Sequence, residues 1–272
     1  MNAELLLMFV LGRDRAYLYG HPERELTAEE QRRYEDALAL RSTGLPAQYI
    51  TGHQEFWGMD LIVSPAVLIP RPETEHVVET VLDKVGRIAN RVGRIFLSDQ
   101  KAPADSILRI VDVGTGSGCI AVALAKELPE AEIQATEISP AALEIARVNA
   151  VRHQLNRIHF HESNLLERIE RNAFDFVVSN PPYVGISEED QVQLEVRKFE
   201  PRNAVFAGPT GMEVIDQLIP QARAVLKPGG WLVMEISGTI ADRVSKSLTS
   251  WDDVQIRKDL QGTERVASAQ RA

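Results

Sequence analysis

Cys119 is the only cysteine in the 272 residues. A lone thiol closes no intrachain disulfide and builds no multi-thiolate zinc cage, and such sparing use fits a reducing compartment. Positive charge is also scarce: 30 Lys+Arg stand against 39 Asp+Glu, a formal net charge of −9. Phosphate binding needs a positive surface, so direct nucleic-acid binding is not expected, whereas a basic protein is an electrostatically suited partner. Long apolar runs are missing as well. The longest near the start, Leu5 to Leu11, has seven residues, against the ~20 that span a bilayer. It follows Glu4 with no basic n-region and enters Gly12-Arg13-Asp14-Arg15 with no small-residue cleavage site, so it reads as a buried helix and not as a signal peptide. A cytoplasmic protein with no membrane partner is expected. There is no internal repeat, no low-complexity tract and no metal-ligand motif. What is present, 44% hydrophobic and 25% charged residues, is the composition of a globular chain with ample core.

The first ~45 residues carry helical patterns only. One helix is expected at 3–11 and a short one at 13–19. A third is announced by Thr27-Ala28-Glu29-Glu30, where the Thr27 hydroxyl caps the first turn and Glu30 reaches back. Gly44-Leu45-Pro46 stops it. Gln48 to Gly52 and Glu55 to Val63, rich in aromatic and β-branched residues around a Gly-His pair, read as a β-hairpin. The expected organisation is a helical domain at 1–46, a hairpin linker at 47–70 and a third region at 71–272. In that region a helix runs from Pro70-Arg71-Pro72-Glu73-Thr74-Glu75 to about Ala89, with Val77, Val78, Val81 and Val85 on one face, and 97–106 reads as a solvated loop. Strands at 108–113, 132–137, 157–161 and 174–179 then alternate with helices at 117–127, 140–152 and 164–170. Helix 211–226, strand 230–236, helix 239–249 and strands near 253–259 and 264–269 complete the pattern. Alternation specifies a doubly wound parallel sheet, and the short Gln261-Gly262-Thr263 link makes the last two strands an antiparallel hairpin.

Two segments carry chemistry. In Ile110-Val111-Asp112-Val113-Gly114-Thr115-Gly116-Ser117-Gly118 an apolar strand runs into glycines that open a helix, the place where open α/β sheets bind ligands. The spacing is G-x-G-x-G, with Cys119 following, and not the G-x-G-x-x-G of dinucleotide sites. It resembles the first motif of S-adenosylmethionine methyltransferases. Glu137 ends the next strand, where a carboxylate can accept ribose hydroxyls, and Ser139-Pro140 starts the following helix. Asn164 and Leu165 follow the third strand, placed to meet an adenine edge and face. After the fourth strand comes Asn180-Pro181-Pro182-Tyr183. Prolines end strands, but that explains neither Asn180 nor Tyr183. A planar conjugated nitrogen is methylated only when acceptors hold its hydrogens and aim its lone pair. The Asn180 side-chain oxygen and the Pro181 carbonyl are two acceptors on a proline-stiffened loop, and Tyr183 can stack on the planar group. Glutamine amides, adenine N6 and guanine N2 all present such a group.

Pro46-Ala47-Gln48-Tyr49-Ile50-Thr51-Gly52, Glu55-Phe56-Trp57-Gly58, Val67 to Glu75, Glu200-Pro201, Leu226 to Gly230 and Asp259 to Gly262 join these motifs in resembling the HemK/PrmC family, the release factor glutamine-N5 methyltransferases. The resemblance implies a class I S-adenosylmethionine-dependent methyltransferase fold: a doubly wound, mostly parallel seven-stranded sheet with an antiparallel C-terminal hairpin, preceded by a helical domain. It implies S-adenosyl-L-methionine as cofactor, S-adenosyl-L-homocysteine as product and release factors as protein substrates; a monomer is expected. Gly114, Thr115, Gly116, Ser117, Gly118, Glu137, Asn164, Leu165 and Asn180 would hold the cofactor, and the segment of Arg71 and Glu73 to Glu75, besides starting a helix, would close over its methionine end. Asn180, Pro181, Pro182 and Tyr183 would bind the glutamine of a Gly-Gly-Gln loop, with Asn180, Pro181 and Tyr183 catalytic. A ribosomal-protein glutamine methyltransferase is the near alternative. An adenine-N6 DNA methyltransferase is the distant one, disfavoured by 6 Lys+Arg against 10 Asp+Glu in the first 70 residues. The chain departs from the family pattern at Glu137 and at Asn164, where Asp is more usual. The family's helical module also begins earlier than Met1 here, and the 86–106 stretch is longer than usual.

Overall fold

The computed structural model describes residues 2–95 and 107–272. The first helices are α1 (Asn2–Leu11), α2 (Arg15–Gly20) and α3 (Ala28–Ser42). Asp14 caps α2, and Thr27 with Glu30 forms the expected capping box on α3. A fourth helix, α4 (Ala47–Thr51), stands where a strand was expected at 48–52. Its ends explain the difference. Tyr49 and Ile50 donate to the Pro46 carbonyl, and Gly52 closes the turn in the left-handed region at φ 76°. Proline at the start and glycine at the end outweigh the strand preference of Tyr49, Ile50 and Thr51. Leu6, Ala37 and Ala47 form the small core of this helical cluster.

The hairpin is therefore shorter than expected. β1 (His53–Phe56) pairs with β2 (Met59–Ile62), and the turn falls at Trp57-Gly58, both with positive φ, and not at Gly52-His53. A 3₁₀ turn at Pro72–Thr74 then leads into α5 (Glu75–Ile95), which buries Val77, Val78 and Val81 completely. The loop expected at 97–106 lies outside the described residues.

The main sheet is built from β3 (Arg109–Val113), β4 (Glu132–Glu137), β5 (Ile158–Glu162), β6 (Phe174–Ser179), β9 (Leu226–Glu235), β10 (Asp252–Lys258) and β11 (Glu264–Gln270). Its order is β10-β11-β9-β6-β3-β4-β5, parallel from β9 to β5 and antiparallel at β9/β11 and β11/β10. Between the strands lie α6 (Cys119–Glu127), α7 (Pro140–Arg152), α10 (Glu213–Val225) and α11 (Ala241–Ser247). The sheet buries two apolar layers. Ile110, Ile133, Phe176 and Val233 belong to the one with α5 and α6; Val111, Phe174, Val177 and Leu232 to the one with α10 and α11.

No helix forms at 164–170, contrary to expectation. Leu165 has φ 48°, and the segment closes two successive turns, Glu167 N–H to Asn164 and Ile169 N–H to Leu166. The Leu166 N–H donates to the Gln221 side chain at 2.9 Å, which ties this turn to α10. Between 184 and 208 lie elements that the alternating pattern did not foresee: β7 (Val184–Gly185), α8 (Leu194–Phe199), α9 (Arg202–Val205) and β8 (Phe206–Gly208), with β7 and β8 paired parallel.

Two buried polar groups fasten the hairpin to α7 and the Pro70 segment to the end of α8. Asn149, fully buried on α7, accepts from Ile62 N–H at 2.7 Å and donates to the carbonyls of Ile62 and Ser117 at 2.9 Å each. Glu200 accepts from Ile69 N–H at 3.1 Å and pairs with Arg71.

Candidate active site

The chain leaves β3 and returns outward through β4 and β5, then crosses to the other side of β3 to form β6. That reversal opens a crevice beyond the carboxyl ends of the strands. Gly114 and Thr115 N–H groups both donate to the Thr136 carbonyl, at 2.8 and 3.0 Å, holding the glycine bend against β4. Asp112 braces it from below. Its Oδ2 accepts the Thr115 hydroxyl at 2.6 Å and Ala121 N–H at 3.2 Å. Burial pushes its carboxyl up to about 7, and the two hydrogen bonds only partly oppose this. Gly118 at φ 83° starts α6 against α7, where a Cβ would come 3.1 Å from that of Ala146.

Glu137 turns its carboxylate back on the same bend. Oε2 accepts Gly116 N–H at 3.0 Å, and Oε1 accepts Ile138 and Ser139 N–H at 2.9 Å each. The acid thus ties the end of β4 to the glycines while Oε2 retains lone-pair capacity. Gly114, Thr115, Gly116, Ser117, Glu137, Asn164, Leu165 and Asn180 all line one cavity of about 330 Å³. Gly118 is not on its wall. The Asn164 amide donates to Glu167 at 2.8 Å. Ser163 Oγ, also on the wall, is buried with no partner among the described residues. Cys119 borders the cavity too, and burial pushes its thiol up to about 12, so it stays neutral.

A second cavity, about 530 Å³, opens beside the first. Pro181 and Tyr183 line it, and the two cavities share Leu68, Asn180, Pro182 and Ala204. Every residue of the Asn180–Tyr183 turn therefore faces at least one cavity, and Asn180 and Pro182 form part of the common wall.

The turn is held by Glu235, which the sequence reading did not assign to the site, and by Thr74, which it placed only in the segment closing over the cofactor. Asn180 Nδ2 donates to Thr74 Oγ1 at 3.0 Å, and the Thr74 hydroxyl donates to Glu235 Oε2 at 2.6 Å. The Tyr183 hydroxyl donates to Glu235 Oε1 at 3.0 Å. Thr74 and Glu235 are each 1% exposed. Burial raises the Tyr183 phenol well above its ordinary range, so it remains a donor. Burial also raises Glu235, against the pull of the two hydroxyls and of Arg265. One signal was available: Glu235 closes the apolar run Leu232-Val233-Met234, an acid at the carboxyl end of a buried strand. Among the described residues, no cluster of three or more His, Cys, Asp or Glu is arranged to hold a metal ion.

A family model described as PrmC N-terminal domain matches residues 1–52, and one described as Methyltransferase small domain matches residues 93–198. A release factor glutamine methyltransferase of Koribacter versatilis is 52% identical over 267 residues, covering 98% of this chain and 89% of that protein. One of Coxiella burnetii is 37% identical over 273 residues, covering 100% and 91%. Among solved structures, the hMettl16 catalytic domain in complex with MAT2A 3'UTR hairpin 6 superposes with a TM-score of 0.60 at 18% identity, over 87% of this chain and 82% of that one. The ribosomal protein L11 methylase of Lactobacillus delbrueckii gives 0.50 at 19%, over 74% and 81%. At such identities these two show the fold alone, and that fold is the class I methyltransferase sheet described above. With relatives this similar over nearly its whole length, the chain belongs to the release factor glutamine methyltransferase family.

Proposed function

We propose that this protein transfers a methyl group from S-adenosyl-L-methionine to the side-chain amide nitrogen, N5, of the glutamine in the Gly-Gly-Gln loop of peptide chain release factors. One observation carries the reading: two cavities meet at Asn180 and Pro182, one lined by the glycine bend and the other by Pro181 and Tyr183. A methyl donor and a planar amide in adjoining cavities need only that shared wall to meet.

The first cavity fits the donor on its own terms. Its volume of about 330 Å³ lies within the roughly 300–1,000 Å³ of small-molecule sites. Its walls are mainly apolar, with a few converging polar groups: the glycine-bend backbone, the Glu137 carboxylate and the unpartnered Ser163 hydroxyl. Gly114 to Ser117 would cradle the amino-acid end, with Gly118 setting the bend, and Glu137 would receive ribose hydroxyls. Asn164 and Leu165 would border the base. When bound, the cofactor supplies an electrophilic methyl on a sulfonium, with S-adenosyl-L-homocysteine as the product.

The chain's own residues then do the rest. Asn180 Oδ1 and the Pro181 carbonyl accept the two amide hydrogens, so the nitrogen lone pair is left facing the first cavity. Pro181 and Pro182 restrict the loop, so this geometry exists before substrate arrives. The Tyr183 ring, pinned through its hydroxyl, covers the amide plane and favours charge developing on nitrogen. No tuned general base is required, because one amide proton passes to solvent with or after the methyl's arrival, once the nitrogen carries the developing charge.

Residues 1–46 would dock the release factor, 47–70 would connect, and 71–272 would carry the chemistry. The match of residues 1–52 to the PrmC N-terminal domain supports release factors over a ribosomal protein. A net charge of −9 supports a protein substrate over nucleic acid. One chain lines both cavities, which supports action as a monomer, and a translation factor as substrate supports a cytoplasmic location. No helix among the described residues is long and apolar enough to cross a membrane. The test is incubation with labelled S-adenosylmethionine and a release factor, a ribosomal protein or DNA in parallel. Label on the release factor alone supports the reading, and label on DNA refutes it.

A further inference from the structure

An asparagine amide is nearly symmetric in shape, yet its two ends are opposite in polarity. A turned Asn180 would present NH₂ to the NH₂ of a glutamine, donor against donor. Something must fix which end faces the second cavity. The hydrogen bonds around Thr74 contain the answer.

An ionised carboxylate only accepts. Glu235 receives the Thr74 hydroxyl on Oε2 and the Tyr183 hydroxyl on Oε1. The Thr74 proton is committed there by a 2.6 Å bond, so Thr74 Oγ1 can only accept from its other neighbour. Asn180 must then turn Nδ2 toward Thr74, as it does at 3.0 Å, and the opposite Oδ1 becomes the free acceptor. Thr74 lines the first cavity and Glu235 the second, so the chain of bonds runs between them behind Asn180.

We propose that Glu235 and Thr74 are positioning residues that set the polarity of the substrate-binding amide: Glu235 Oε2, accepting the Thr74 hydroxyl, orients it, and that hydroxyl locks Asn180 with its oxygen toward the glutamine. The same carboxylate anchors Tyr183, so one buried acid aligns both side chains that hold the planar group. This rests on the proposed glutamine transfer and deepens it. It also gives the 3₁₀ turn Pro72–Thr74 a task beyond starting α5.

The proposal requires Glu235 to keep Oε2, the oxygen facing Thr74, unprotonated. Facing it are the Thr74 and Tyr183 hydroxyls, Arg265 from β11, Glu73 from the 3₁₀ turn and Cys119 from α6. Burial and Glu73 favour protonation; the hydroxyls and Arg265 favour the charge. A protonated Glu235 could donate to Thr74, freeing the Thr74 proton to seek Asn180 Oδ1 and inverting the amide. Activity then has an acid limb that belongs to no substrate group.

The experiment compares full-length wild type, Thr74→Val, Thr74→Ser and Glu235→Gln, with a release factor and S-adenosylmethionine, and measures cofactor Kd by calorimetry to establish folding. Valine keeps the shape of threonine and removes the polarity. In Thr74→Val, kcat falls about 10²-fold, the scale of a misplaced reacting group, while KM for the release factor and cofactor Kd change by less than about threefold. Thr74→Ser restores the hydroxyl and recovers kcat to within about fivefold of wild type. Glu235→Gln lowers kcat and flattens the acid limb of the pH profile. If Glu235→Gln does not fold, the valine and serine pair decides alone. Wild-type kcat in Thr74→Val, or a Thr74→Ser as impaired as the valine variant, overturns the proposal while leaving glutamine transfer standing. No transfer by the wild-type protein overturns the substrate reading and the polarity chain with it.

Discussion

Asn180→Ala separates holding the amide from holding the cofactor. The substitution removes Oδ1, one of two acceptors assigned to the substrate nitrogen, and leaves the Pro181 carbonyl in place. Removing one such preorganised partner costs about 10²–10³ in kcat, or about 3–4 kcal/mol. The cost to folding is far smaller. Thr74 Oγ1 loses one incoming bond but still donates to Glu235, so the loss is about 1 kcal/mol, and the protein stays folded against a typical total of about 5–15 kcal/mol. Cofactor affinity changes by less than about tenfold, because Asn180 contributes only part of one wall of that cavity. Initial rates with methyl-labelled cofactor give kcat, and titration calorimetry gives Kd. Turnover within about fivefold of wild type would refute the acceptor role. A hundredfold loss of cofactor affinity would instead make Asn180 chiefly a cofactor residue.

Three further substitutions probe the surrounding frame. Gly116→Arg sends a long side chain into the first cavity, because a Cβ there meets only the Gly114 carbonyl at 4.0 Å; cofactor Kd rises at least about 10²-fold, and an unchanged Kd contradicts the placement. Gly211→Ala puts a Cβ 2.5 Å from the Tyr183 carbonyl at φ 84°, so the Asn180–Tyr183 turn must shift; stability drops by about 1–3 kcal/mol and kcat falls, measured by thermal melts and initial rates, and unchanged values would show that the turn tolerates displacement. Asp112→Asn tests the buried brace. The carboxyl's folded pKa of about 7 lies above its unfolded value of about 3.9. The unfolded state therefore ionises first, and wild-type stability declines between about pH 4 and 7, by up to about 4 kcal/mol. An amide does not titrate, so the difference in melting temperature moves in the variant's favour from pH 4 to pH 8, whereas a pH-independent difference would show that burial does not perturb Asp112.

The alternation of strands and helices from 108 onward was legible because a fully buried parallel strand such as Ile110–Val113 leaves an apolar run bounded by turn residues. The Gly114–Gly118 and Asn180–Tyr183 segments stood out for a related reason, since each sits where a strand must end. Helix α4 was misread because its composition favours strands and its Pro46 and Gly52 boundaries decide otherwise. At 164–170 the backbone leaves the helical region at Leu165 and Leu166 bonds to Gln221, more than fifty residues away, which no local pattern contains. Thr74 and Glu235 were not foreseen as partners of Asn180 and Tyr183 for the same cause: 161 positions apart, they meet only in the folded chain, where β9 lies beside β6. The Pro-Glu-Thr-Glu segment looked like a helix start, which it is, and its threonine carries a second role visible only in three dimensions.

The most direct measurement is mass spectrometry of a release factor after incubation with this protein and S-adenosylmethionine, with fragmentation to locate the added mass. The account requires a single methyl group on the side-chain nitrogen of the Gly-Gly-Gln glutamine, formed by wild type and lost in Asn180→Ala. A methyl group on any other residue, or an undiminished yield from the alanine variant, would contradict it.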